Sequence, residues 1–204
     1  MDSENGGGVR MPGEKSEKSA KDRVLEVAEE LFYREGIRAV GVDTIIARSG
    51  VAKMSLYRNF PSKDELIVAY LKVRTERFWQ WWDSVMKPLE GSPREQIRGL
   101  FAALLVKVNA PGFRGCPFVN TATEFPTPGH PAREAALVHH RELKAHLTRI
   151  ANELGAPRPE ALADQLVIII DGVYASAGTF SSPETATAIL AAVDALVEAQ
   201  VPSR

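Results

Sequence analysis

An all-α fold of about nine helices is what this sequence predicts, on three observations. Apolar residues recur three and four apart along most of the chain. No stretch shows the apolar-polar alternation of a half-buried strand, and no internal repeat is visible. Glycine, serine and proline break the pattern at intervals that suit helix ends. The composition fits a packed globular chain: 204 residues, 45% hydrophobic, 25% charged, with a mean hydropathy of −0.14. The single cysteine, Cys116, excludes a disulfide framework or a multi-cysteine metal site and fits a reducing compartment, so the cytoplasm is the expected location. The opening MDSENGGGVR has no apolar stretch behind a basic start, and no apolar run approaches the roughly 20 residues of a membrane span. Neither secretion nor membrane insertion is expected.

Each element follows from its own signals. Residues 1–18, with four glycines, a proline and scattered charges, read as a flexible arm on which Arg10, Lys15 and Lys18 are solvated. Ser19 with Asp22 three residues on opens a first helix, 19–35, whose stripe is Val24, Leu25, Ala28, Leu31 and Phe32 and whose stop is Gly36. Two short helices follow, separated at Gly50, which suits the left-handed backbone of a tight turn; Leu56 and Phe60 form the inner edge of the second. Ser62, with Asp64 and Glu65 behind it, starts a long helix that carries Leu66, Ile67, Tyr70, Leu71, Phe78, Trp79, Trp81 and Trp82 and fades by Pro88. After Gly91-Ser92-Pro93 comes a one-sided stripe from Ile97 to Val108. Five prolines in 109–131 leave room only for a short helix near Cys116–Glu124. Then come a helix from Pro131 to Leu154 on the line Ala136, His140, Leu143, Leu147, Ile150 and Leu154, and two apolar helices, Ala161–Phe180 and Ala186–Ala199.

Charge is uneven. From Arg34 to Lys63 there are six basic and two acidic residues, whereas the chain as a whole carries a formal −1. A helix, a glycine turn and a second helix inside this one basic block read as a helix-turn-helix, with Lys53, Met54, Ser55, Tyr57, Arg58 and Asn59 on the outer face. A helical hairpin with a solvated surface would show the same turn and charge.

The stretch from Val42 to Leu66, with its core Gly50-Val51-x-Lys53-x-x-Leu56-Tyr57-x-x-Phe60-x-x-Lys63, resembles the DNA-binding region of the TetR family of bacterial transcriptional regulators. The resemblance extends over about residues 19–71. One departure is Ile46, four before the turn glycine, where the family commonly has a small residue. The resemblance implies an N-terminal three-helix helix-turn-helix DNA-binding domain, 19–65, and a C-terminal helical ligand-binding and dimerisation domain, 66–204. It further implies that Tyr57, Lys63 and Thr44 hold phosphates of a double-stranded operator, while Lys53, Met54, Ser55, Arg58 and Asn59 face base edges, with Arg58 suited to guanine.

The family's homodimers join through their last two long helices. Leu162, Leu166, Ile169, Ile170 and Val173, with Ala177 beside them, are apolar enough to form such an interface in an isologous four-helix bundle. An effector pocket is expected among Phe78, Trp82, Phe101, Leu105, Phe118, Leu143 and Tyr174, with Asn120, Thr121, Glu124 and His140 as polar handles, and it calls for a small, largely apolar effector. No cofactor and no metal are expected: His139 and His146 are about 10.5 Å apart along a helix, too far to share one ion unaided. Cys116 has no second thiol to resolve an oxidised form, so a redox switch is not expected. No P-loop, dinucleotide glycine signature, nucleophile elbow or HExxH is present, which argues against an enzyme. The expected function is thus a ligand-responsive, sequence-specific DNA-binding regulator, a repressor released by its effector. Two alternatives stay open: a helical small-molecule-binding protein or enzyme with no DNA role, and a DNA-binding protein without an effector.

Overall fold

A computed structural model describes residues 18–176 and 182–201, and among these every regular element is helical. The order is α1 (Ala20–Glu35), α2 (Val42–Ser49), α3 (Lys53–Asn59), α4 (Lys63–Met86), α5 (Pro93–Val108), α6 (Pro117–Glu124), α7 (Pro131–Glu153), α8 (Pro159–Ala175) and α9 (Pro183–Gln200), with a short 3₁₀ turn at Lys87–Leu89. The expected caps are in place. Ser19 Oγ accepts the Asp22 amide at 3.1 Å, and Ser62 Oγ accepts that of Glu65 at 3.1 Å. Helices α8 and α9 start two and three residues earlier than their apolar stripes suggest, because Pro159 and Pro183 occupy the first turn, where a missing N–H costs nothing. The expected end of α8 at Phe180 lies outside the described residues.

Helix α4 organises the molecule. Its 24 residues extend about 36 Å, so its first turns pack in the N-terminal unit and its later turns in the C-terminal one. Around its start, α1 to α3 contribute Leu31, Ile37, Ile45, Leu56 and Phe60 to one buried cluster with Leu66 and Ile67. Tyr70 meets the Phe32 ring edge-on at 5.6 Å. Further along, Phe78 and Trp82 join the interior built by α5, α7 and α8. Among the described residues no helix is long and apolar enough to cross a membrane.

Two sequence readings are corrected here. The buried line of α7 runs through His139, at 3% exposed, rather than through His140, which is half-buried. Steps of three and four both continue a helical stripe from Ala136, so apolar spacing alone leaves the choice between adjacent residues open. In α8, Leu162, Leu166, Ile170 and Val173 are all buried inside the protomer against its own helices, and do not form an unpartnered surface. Ile168 is the residue that faces outward, at 69% exposed, with Ile169 half-buried beside it; Ala177 lies outside the described residues. A helix apolar on nearly every side shows no preferred inward face in its sequence.

Candidate DNA-binding face and effector cavity

Helix α2 stops at Gly50, whose φ of 62° and ψ of 23° are left-handed, so its N–H returns to the Ile46 carbonyl at 3.1 Å. Ile46 is half-buried there, and the turn accommodates it. Helix α3 then starts from Ala52, whose carbonyl accepts the Ser55 and Leu56 amides at 2.8 and 3.1 Å. Leu56 and Phe60 anchor α3 in the core and leave the opposite side in water. That side brings together Lys53, Met54 (79% exposed), Tyr57 and Arg58. Thr44 is exposed on α2. Ser55 and Asn59 are half-buried, and the Asn59 amide donates to the Ser55 carbonyl at 2.8 Å, a bond within its own helix. Lys53 reaches Asp43 at 3.4 Å, a loose, fully wet pair.

Lys63 has a duty inside the protein. Its ammonium donates to the Ile37 carbonyl at 2.7 Å, and partial burial pulls its pKa below the ordinary lysine value, opposed by the charges of Glu124 and Asp64. An ammonium has three donors, so a phosphate contact is compatible with this bond.

The turn after α1 is held from a distance. Gly36 adopts φ 92°, and the next two amides, of Ile37 and Arg38, donate to the two oxygens of Glu124 at 3.2 and 2.7 Å. The Arg38 guanidinium donates to the Glu124 carbonyl at 3.2 Å. Two more links tie α1 to the C-terminal body. The Tyr33 hydroxyl donates to Gly115 at 3.3 Å and accepts from the Arg114 amide at 2.9 Å. Arg77 makes a two-pronged pair with Glu29, at 2.6 and 2.9 Å. Nothing in the local sequence marks these links, since the partners lie 48 to 87 residues apart.

The residues expected to line one pocket separate into different roles. Phe78, Phe118 and Tyr174 line a cavity of about 190 Å³ between α1, α4, α6 and α8. Leu105 lines a second, apolar hollow of about 370 Å³ between α5, α8 and α9. Leu143 borders a void of about 10 Å³, and Trp82 and Phe101 are closed into the core. The polar handles are engaged elsewhere: Asn120 donates to Arg114 at 3.0 Å, Thr121 to Pro117 at 2.7 Å, and Glu124 clamps the α1 turn. His140 faces Asp171 at 3.4 Å, and that hydrogen bond raises its pKa despite partial burial. These polar side chains bond to whatever lies next to them, a relation that helical periodicity does not encode.

The 190 Å³ cavity also has a cationic wall that sequence reading missed: Arg74, Arg77 and Lys107. Each sits on a helix whose charges look like ordinary solvated-face residues. Cys116 lines the same space, but burial pushes its thiol up to about 11, leaving it protonated at neutral pH. His139 stacks on Phe118 at 3.5 Å with its pKa pushed down by burial to about 3, and is therefore neutral.

Comparisons with known proteins agree with this geometry. Residues 24–70 match the model for bacterial regulatory proteins of the tetR family, and residues 93–195 match the Tetracyclin repressor-like C-terminal domain. The crystal structure of SCO4454, a TetR-family transcriptional regulator from Streptomyces coelicolor, superimposes with a TM-score of 0.82 at 30% identity, covering 90% of this chain and 96% of that one. The putative TetR-type regulator sav143 from Streptomyces avermitilis is 34% identical, with a TM-score of 0.73 and coverage of 87% and 99%. The HTH-type transcriptional repressor KstR2 of Mycobacterium tuberculosis is 35% identical over 89 residues, 42% of each chain. With the helix-turn-helix face exposed, the turn glycine left-handed and both halves matched, the chain belongs to the TetR family of bacterial transcriptional regulators, proteins that bind DNA and respond to ligands.

Proposed function

We propose that the protein is a homodimeric repressor that leaves a palindromic operator when a small effector enters its C-terminal body. The observation that carries this reading is the connection between the two ends of α6. At its start, Pro117 and Phe118 line the 190 Å³ cavity; at its end, Glu124 grips the turn that leads from α1 to the DNA-reading helices. The helix has eight residues and is about 12 Å long, so a ligand that displaces Phe118 acts on Glu124 through one short rigid element. Occupancy then alters the placement of α3, and effector and operator affinities are coupled in both directions.

Dimerisation uses the outward faces of α8 and α9. Ile168 on α8 is exposed and apolar, and Gly172 and Ala175 on α8 and Ala188, Ala191, Ala192 and Ala195 on α9 are exposed and small, which suits close helix packing across a two-fold axis. Such an axis sets two α3 helices on successive major grooves, about 34 Å apart. The setting for this activity is the cytoplasm.

Footprinting on DNA upstream of the protein's own gene, with affinity measured against salt, tests this reading. A protected near-palindrome is expected, with the salt slope reduced by about one for Lys63→Ala and sequence discrimination relaxed for Arg58→Ala. Binding no tighter than to random duplex, there and in a genome-wide selection of fragments, refutes it.

A further inference from the structure

The cavity that Phe78, Phe118 and Tyr174 line holds positive charge without a counter-ion. Arg77 is neutralised by Glu29, but neither Arg74 nor Lys107 has an ion-pair partner among the described residues. Both rest on aromatic faces instead. The Arg74 guanidinium lies 4.4 Å from the Tyr33 ring centre, and the Lys107 ammonium lies 4.1 Å from that of Trp81 and 5.6 Å from that of Phe78. Burial lowers the pKa of Lys107, and the positive charge of Arg74 lowers it further. Among the described residues no carboxylate lines this cavity: Asp171 is turned to His140 at 3.4 Å, and Glu26, Glu29 and Glu30 border a separate hollow on the other side of Arg74 and Arg77, where Glu29 pairs with Arg77. Cys116 brings no charge, its thiol being protonated at neutral pH. Two half-buried cations facing one space are costly to hold together, and an anion placed between them relieves that cost.

Size and wall chemistry narrow the anion. An apolar cavity of about 150 Å³ holds benzene, so about 190 Å³ has room for one ring and a small charged group. Aromatic planes form most of the rest of the wall, with Phe113 and Tyr174 nearly parallel at 6.0 Å. We infer that this cavity is the effector site and that it takes a single-ring aromatic carboxylate, its charge set between Arg74 and Lys107 and its ring against Phe78, Phe118 and Tyr174. This departs from the largely apolar effector that the sequence suggested. It rests on the reading of the protein as an effector-responsive repressor and supplies the chemistry of that effector.

The test is calorimetric titration of the full-length protein with three acids and their uncharged amides: benzoate and benzamide, phenylacetate and phenylacetamide, 4-hydroxybenzoate and 4-hydroxybenzamide. In at least one pair the acid binds at least tenfold more tightly than its amide. Lys107→Met, which keeps the stem and removes the charge, lowers acid affinity at least tenfold and leaves the amide unchanged; Arg74→Met does the same and carries the test if the first variant does not fold. The inference is overturned if no acid is preferred to its amide, or if the preference survives in both variants. Operator affinity measured on the same samples separates the two readings. Intact DNA binding without acid preference overturns only the ligand class, and acid preference without DNA binding overturns only the repressor.

Discussion

Replacing Glu124 by alanine detaches the turn between α1 and α2 from the end of α6, and the cost follows from the two amides it leaves. The Ile37 amide belongs to a residue only 2% exposed, so losing its 3.2 Å acceptor strands a buried donor, at about 1–3 kcal/mol. The Arg38 amide, bonded at 2.7 Å, sits at an exposed residue where water replaces the carboxylate, at about 0.5 kcal/mol or less. The Arg38 guanidinium bond goes to the backbone carbonyl of Glu124 and survives the substitution. The sum is about 2 kcal/mol, which for a chain of this length lowers Tm by about 4–8 °C. Glu124→Gln keeps one acceptor oxygen and falls about midway. Circular-dichroism melts measure the shift, and amide exchange at Ile37 locates it, with protection there lost in the alanine variant. A Tm within about 1 °C of wild type, or unchanged protection at Ile37, refutes the clamp.

Three other outcomes follow. His139→Leu removes a buried ring whose Nδ1 has no partner among the described residues, and its stability relative to wild type grows by about 2 kcal/mol between pH 8 and pH 5 in urea titrations. The sign follows from proton uptake: below about pH 6.5 the unfolded ring is protonated and the folded one, at about 3, is not, so the wild type loses stability as pH falls through that window. The contribution of His140, whose pKa is raised by Asp171, is lost instead as pH climbs above the ordinary histidine value, equally in both proteins. Lys63→Ala strands the Ile37 carbonyl and lowers stability by about 1 kcal/mol, whereas Lys53→Ala leaves the melt unchanged and acts only on DNA affinity. Ile168→Glu, on the exposed side of α8, yields monomers in analytical ultracentrifugation at concentrations where the wild type is a dimer.

Much of the helix layout was legible because caps, prolines and three-four spacing are local. Ser19 and Ser62 cap where they stand, and Gly50 turns because of its own backbone freedom. The helix-turn-helix face was legible for the same reason: Leu56 and Phe60 point inward, so Lys53, Met54, Tyr57 and Arg58 must point outward. What failed was choice among near-equivalent positions and pairings over long distances. His139 and His140 differ by one step of a helix, and Leu166 and Ile168 by two, within stretches apolar enough to hide which side is inside. Glu124, expected as a polar handle of the pocket, instead holds amides 86 and 87 residues away in the chain.

Charge shows most sharply why composition understated function. A formal −1 over the chain hides two positive places that differ in dielectric setting. Lys53 and Arg58 stand in water, where salt screens single charges beyond about 8–10 Å, so they act collectively and suit a polyanion whose counterions they displace. Arg74 and Lys107 are half-buried beside a partly open cavity and lie over aromatic rings, where screening is weaker and each charge is felt singly. The first setting favours a long, repetitive partner and tolerates loss of one cation with a modest change in slope. The second favours one small anion and loses it when either cation goes. On the proposed reading the same residue types serve two recognitions, and burial, which no tally of lysines and arginines contains, assigns each to its own.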